Sequence, residues 1–230
     1  MSGAQTRSSA LYEPQLLRIP MRILTFSMAE RYALAVAAVA LLLTALGIPE
    51  TLEYRRALLA SEPWRLLTGH LVHVNWPHAL INALALLIVA RLFSPDLGVG
   101  RQLAVLLVSA LVISLGLAAF FPASAWYRGL SGALHALFFA GAAVWLLRTR
   151  PRDLRSLWLP VALFFGGWIK VVLEQPAGEA LPHADWLGAA VVPQAHLLGA
   201  VSGTTLGLAF ALADHRRDKQ RREQQHLQPR

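Results

Sequence analysis

Cysteine is absent from the 230 residues. Disulfides, cysteine-ligated zinc and a thiol nucleophile are thereby excluded, while the redox compartment stays open. Any hydrolytic chemistry has to use serine, histidine, carboxylates or a histidine-bound metal. Charge is scarce too: Asp, Glu, Lys and Arg make up 15% of the chain, against 56% hydrophobic residues and a mean hydropathy of +0.48. Soluble domains carry about 45–50% apolar residues, a figure that also counts glycine, so this composition is that of a polytopic membrane protein. No small-residue cleavage site accompanies the first apolar window, which therefore reads as a retained anchor and not as a signal peptide. No inverted repeat and no paired broken helices are visible, which argues against a small transporter.

What is present is a series of six apolar windows, at residues 31–48, 78–93, 101–120, 131–147, 157–173 and 191–213. Several fall short of the ~20 residues of an ordinary transmembrane helix, so these helices are expected to begin below the surface or to thin the bilayer locally. The chain divides into an amino-terminal tail (1–30), an all-α membrane domain of six helices (31–213) and a basic tail (214–230). That last segment ends in Gln and Pro without apolar content and is expected to be disordered.

Of the 21 Lys and Arg residues, sixteen fall in the two tails, the 91–101 turn and the 148–156 loop. The opposite loops carry four, Arg55, Arg56, Arg65 and Arg128, with Lys170 inside the fifth window. The positive-inside rule then puts both termini in the cytoplasm, as an even number of spans requires. The basic run from His215 to Arg222 reads as a topology determinant and a contact to anionic lipid, so the net charge of +8 calls for no nucleic acid. The long loops, 49–77, 121–130 and 174–190, lie on the outer side. Trp64, Trp76, Trp126, Tyr127 and Trp186 within them read as interfacial anchors.

An ionisable side chain inside a span is a functional-site candidate by default. Ser131 opens the fourth span within Gly129-Leu130-Ser131-Gly132, and His196 lies in the sixth. A helix from Ser131 to Leu147 covers ~25 Å against ~30 Å of hydrocarbon, which sets Ser131 several ångströms below the outer surface; His196 lies ~8 Å in from its own outer start. Asn75 can cap the second helix, with Pro77 in its first turn. His78 and Asn82, at i and i+4, then share a face near its outer end. A serine, a base and two hydrogen-bonding side chains at one level are what acyl transfer needs: a base for the serine proton and donors for the tetrahedral oxyanion. Gly132, Ala136 and Ala140 on the fourth helix, and Gly199, Gly203 and Gly207 on the sixth, form small-xxx-small stripes. Stripes of this kind are ordinary packing by themselves. Here they coincide with the serine and the histidine, and close helix approach is expected to bring the two within reach.

Gly129-Leu130-Ser131-Gly132 resembles the GxSG signature of rhomboid intramembrane serine proteases, and Ala195-His196 followed by Gly199 resembles that family's catalytic histidine helix. His78-x-x-x-Asn82 resembles its oxyanion-side motif, and Trp64-Arg65 the Trp-Arg pair of its first external loop. The motifs occur in family order across residues 31–213. The resemblance implies the six-helix rhomboid core, a Ser131/His196 dyad without a third carboxylate, an oxyanion side at His78 and Asn82, and water admitted from the outer face. Gly129, Gly132, Gly199 and His135 become supports of that site, and neither a cofactor nor a metal is called for. The string from Trp64 through His73 to Asn75, together with Gly-Leu-Ser-Gly-x-Leu-His135, resembles more specifically the rhombosortase branch. Members of that branch are associated with bacterial exported proteins ending in a Gly-Gly-containing hydrophobic sorting tail, which implies tailed or transmembrane protein substrates and a bacterial inner membrane. A general protease of single-pass proteins and a non-catalytic binder of transmembrane helices are the alternatives.

One departure stands out. Where many rhomboids have an aromatic residue packing on the catalytic histidine, this chain has His135, which could stack on His196, share a proton with it or fill space through a hydrogen bond. His70, His73 and His78 could suggest a metal site, since imidazole suits Zn, Cu or Ni, but no Asp, Glu or Cys stands beside them. Lys170 is expected to snorkel from the outer end of the fifth span. Glu174 and Glu179 read as solvated loop charges.

Overall fold

The computed structural model describes residues 26–149, 154–175 and 191–227. Trp186, Glu179 and most of the amino-terminal tail lie outside the described residues.

Each apolar window is a helix. In chain order the elements are α1 (Met28–Leu46), α2 (Pro49–Leu52), β1 (Tyr54–Arg55), a 3-10 turn (Arg56–Leu58), α3 (Arg65–Thr68), α4 (Trp76–Leu92) and α5 (Val99–Phe120). There follow β2 (Trp126–Tyr127), α6 (Ser131–Arg148), α7 (Leu154–Glu174) and α8 (Pro193–Leu227). Five of the helices are long and apolar enough to cross a bilayer, and α4 adds a shorter apolar helix of 17 residues. The protein is an integral membrane protein with an all-α polytopic core.

Local chemistry sets the helix ends. Ser27 and Glu30 close a reciprocal capping box on α1, which ends at Gly47 with φ +64°. Asn75 accepts a hydrogen bond from the His78 backbone at 3.0 Å, and Pro77 occupies the first turn of α4 where a missing N–H costs little.

The bundle is built around α6, whose Ala133, Ala136, Leu137, Ala140, Ala142 and Val144 are buried. Its main partner is α8. A Cβ on Gly199 would lie 2.1 Å from the Gly132 carbonyl oxygen, one on Gly203 2.1 Å from that of Ala136, and one on Gly207 2.7 Å from that of Ala140. The two backbones therefore touch along the stripes at successive turns, with no side chain between them. By contrast, α7 turns Trp158, Phe165, Ile169, Val172 and Leu173 outward, as a lipid-facing helix does.

The connection between α1 and α4 is folded. β1 pairs antiparallel with β2, setting Tyr54 opposite Tyr127 and Arg55 opposite Trp126. Buried Arg65 donates from Nη1 to the backbone oxygens of Glu53 (2.8 Å) and Glu50 (3.0 Å) and from Nε to Glu62 (2.6 Å). The buried Glu53 carboxylate accepts from Arg55 and Arg128. This network holds the segment preceding α6 against the first connection.

The carboxyl-terminal tail departs from expectation. Residues 214–227, read from sequence as disordered, continue α8 as helix to Leu227. Growth from an existing helix needs no new nucleus, and Lys, Arg, Gln and Glu are good helix formers. Asp214 at the start of this stretch also accepts from Arg101 (2.5 and 2.7 Å) and Arg148 (2.6 Å).

Candidate active site

Ser131 is the first residue of α6, delivered there by a turn that only glycine fits. Gly129 has φ +122°, and a Cβ on it would meet His78 Cε1 at 2.7 Å. Its N–H donates to the Gly69 carbonyl at 3.0 Å, and its own carbonyl accepts from the Tyr127 hydroxyl at 2.6 Å. That hydroxyl also accepts from the Gly132 N–H at 3.3 Å. Tyr127 is thus not the interfacial anchor its neighbours suggested. It is 2% exposed and ties down the serine turn, whereas Trp64, Trp76 and Trp126 are exposed as expected.

His196 enters from α8, buried, with Nε2 3.0 Å from Ser131 Oγ. The seam between α6 and α8 makes this approach possible, since Gly199 and Gly132 lie at its first contact. The Ser131 hydroxyl donates to Nε2, which leaves the ring proton on Nδ1. Nδ1 then donates to Glu174 Oε2 at 3.1 Å. The second carboxylate oxygen accepts from Lys170 at 2.8 Å.

Glu174 therefore corrects the sequence reading. It is the last residue of α7 and 8% exposed, not a solvated loop charge. A carboxylate is tolerated there because Lys170, one turn earlier, and the His196 N–H both serve it. The Lys170-x-x-x-Glu174 spacing was the available signal, since i and i+4 share a helix face.

His135 stacks on His196, with ring centroids 4.1 Å apart and an interplanar angle of 17°. Its Nδ1–H donates to the Ser131 carbonyl at 2.8 Å, and its Nε2 accepts from Lys170 at 2.8 Å. With both nitrogens engaged elsewhere, stacking is the contact it makes with His196. Lys170 does more than snorkel, because its ammonium bridges His135 and Glu174.

His78 and Asn82 line the same cavity as Ser131 and His196, a space of ≈ 430 Å³. Asn82 Nδ2 donates to the His78 carbonyl at 2.9 Å, which leaves one of its two N–H donors to face the cavity. The rest of the lining is mostly apolar, with Tyr127, Arg128, His135 and Lys170 as its other polar side chains. Ile81, Ala85 and Val89 of α4, Leu134, Phe138 and Phe139 of α6 and Gly167 of α7 line the cavity.

His70, His73 and His78 do not converge as a ligand set. His70 Nε2 pairs with Ala110 O (3.0 Å) and Ser114 Oγ (3.1 Å), and burial holds this imidazole down to about 4, hence neutral. Among the described residues, the group that could hold an ion is His135, Glu174 and His196, whose ligand atoms lie within 4.8 Å of one another. An ion there would compete with the Lys170 ammonium, which already serves Glu174 and His135, and with the Ser131 hydroxyl at His196 Nε2.

The family profile described as Rhomboid domain matches residues 60–213, about two thirds of the chain. No curated protein matches it.

Proposed function

The chain belongs to the rhomboid family, and from that premise we propose that it is an intramembrane serine endopeptidase with Ser131 as nucleophile and His196 as base. The family assignment supports intramembrane protease function. The observation that carries the residue roles is the 3.0 Å contact between Ser131 Oγ and His196 Nε2 in the lining of a mostly apolar cavity.

In this mechanism His196 Nε2 takes the hydroxyl proton as Oγ attacks the scissile carbonyl carbon. The carbonyl oxygen becomes an oxyanion facing His78, Asn82 and the first-turn N–H groups of α6, whose helix dipole favours negative charge. Collapse of this intermediate expels the amine, which receives the proton from Nε2 and leaves an acyl-serine. Water then enters and gives a proton to the same nitrogen as its oxygen attacks the acyl carbon; breaking the bond to Oγ returns that proton to Ser131 and releases the carboxyl product.

Losing one preorganised donor costs ~10²–10³ in kcat. Replacing His78 or Asn82 by alanine is expected to lower kcat by that order while KM changes little. An unchanged kcat in both variants would remove these residues from the oxyanion side.

The substrate is proposed to be an exported protein with a carboxyl-terminal tail: a Gly-Gly-containing junction, an apolar span and a few basic residues. Ser131 stands at the start of an 18-residue helix and reaches only bonds near one end of a substrate span. Those bonds must unwind from helix to be cut, and each glycine lowers that cost by ~1 kcal/mol relative to alanine. The bias of basic residues supports cytoplasmic termini with the site opening outward, and the bacterial inner membrane is proposed from the resemblance to a branch associated with bacterial exported proteins. Co-expression with a tailed reporter protein should yield a shortened reporter in the periplasm, its new carboxyl terminus at or just before the junction by mass spectrometry. An intact tail beside efficient cutting of an untailed single-pass protein would sink the tail specificity alone. A cut reporter retained in the cytoplasm would overturn the orientation.

A further inference from the structure

We propose that Glu174, held by Lys170, is a positioning residue that fixes the tautomer and orientation of His196, so that the site works as a charge-supported triad and not as a two-residue dyad. The inference rests on reading Ser131 and His196 as nucleophile and base.

His196 can accept the serine proton only if Nε2 is bare, which requires the ring proton on Nδ1. An acceptor that cannot itself donate enforces this arrangement, and an ionised carboxylate is such a group. Glu174 Oε2 lies 3.1 Å from Nδ1, and both side chains are at least nine-tenths buried. In the acylation step the imidazole becomes imidazolium, and an adjacent carboxylate stabilises that charge where little water reaches it. Lys170 has a separate task. It donates to Oε1 at 2.8 Å and leaves Oε2 aimed at His196. It also donates to His135 Nε2 at 2.8 Å, which locks the ring stacked on the other face of the base. α7 thus supplies an anion to the base and a cation to the ring that supports it. His135 and Ser131 from α6 and Lys170 and Glu174 from α7 are the groups His196 meets, with His78 of α4 across the cavity.

Glu174→Gln separates this role from packing, because the change is nearly isosteric. Lys170 only donates, so it draws the Gln amide oxygen to itself and leaves the amide N–H₂ facing His196 Nδ1. The imidazole then has to accept at Nδ1 and carry its proton on Nε2, where Ser131 needs an acceptor. The equivalent change in a serine protease triad lowers kcat by ~10⁴ through the wrong tautomer. For the reconstituted full chain, a loss of ~10³-fold or more in kcat is expected in Glu174→Gln, with KM within about twofold of wild type. The rate of Ser131 labelling by a fluorophosphonate should fall in parallel.

Adding Lys170→Met removes the donor that orients the amide, so the Gln oxygen can turn to Nδ1. The double variant Glu174→Gln/Lys170→Met should then regain at least ~10-fold in kcat over Glu174→Gln alone, a rescue no purely structural role provides. Wild-type kcat and labelling in Glu174→Gln would overturn the inference. So would a double variant no faster than Glu174→Gln while Lys170→Met alone remains active. A wild-type chain that neither labels at Ser131 nor cuts any reporter would instead overturn the protease reading itself, and this inference with it.

Discussion

Ser131→Ala and His196→Ala are each expected to abolish cleavage of a transmembrane substrate, a loss of ~10⁴-fold or more in kcat, while the chain stays folded. The size follows from the role proposed for each side chain. Without Oγ there is no atom to form the acyl-enzyme, and without Nε2 the hydroxyl proton loses the acceptor that lies 3.0 Å from Oγ. The fold should survive because both groups sit on a scaffold they do not build. The serine turn is held by Tyr127, Gly69 and the positive φ of Gly129, and α8 is held by the glycine seam. Removing Oγ deletes one hydrogen bond, worth ~1 kcal/mol. Thermal unfolding and gel filtration in detergent check the fold, and a reporter-cleavage assay checks the activity. EDTA should leave the rate unchanged. Inactivation by EDTA with rescue by zinc would put an ion on the His135, Glu174 and His196 group instead.

The second large effect is expected at the contact of α6 with α8. A Cβ at residue 203 would lie 2.1 Å from the Ala136 carbonyl oxygen and 2.5 Å from its Cα, atoms of a helix backbone that cannot rotate away. Gly203→Val therefore has to push the helices apart. Overpacking costs about 1–3 kcal/mol in cores where side chains can adjust, and the upper end or more is expected here. The catalytic cost is separate, because a shift of ~1 Å between nucleophile and base costs ~10²-fold in rate. Gly203→Ala should lie between Gly203→Val and wild type. Gly166→Ala provides the contrast: nothing lies within 4 Å of a Cβ there, so this change in a helix interior should be neutral or stabilising by up to ~1 kcal/mol. Equal melting temperatures for Gly203→Val and Gly166→Ala would contradict the backbone contact.

Much of this arrangement is legible in the chain, and the reason is hydrocarbon. Because polar groups in a span are penalised, the helices announce themselves as apolar windows, and the few polar residues inside them mark the site. Ser131, His196, His78 and Asn82 stand out as candidates on those grounds and line one cavity, and the glycine stripes indicate which helices could touch. The misses lie where burial of a polar side chain depends on partners distant in sequence. Glu174 at the end of α7 looks like a loop charge until His196, 22 residues on, is known to face it. Tyr127 sits among exposed tryptophans and differs from them through its packing with Tyr54, Ile113 and Leu117 and its hydrogen bonds around the serine turn. The tail after Asp214 reads as disordered by composition, yet it inherits helix from α8. For Glu174 the i, i+4 spacing from Lys170 was the one local signal, and it gives a shared helix face without showing His196 opposite.

The nucleophile is the centre of the account, and a fluorophosphonate tests it most directly. Such a reagent bonds only to a serine whose proton an adjacent base removes. The full chain in detergent micelles, treated with the reagent and digested, should show one adduct by mass spectrometry, on Ser131, and none in His196→Ala. An unmodified Ser131 in a preparation that still cleaves its reporter, or an adduct on another serine that tracks activity, would contradict it.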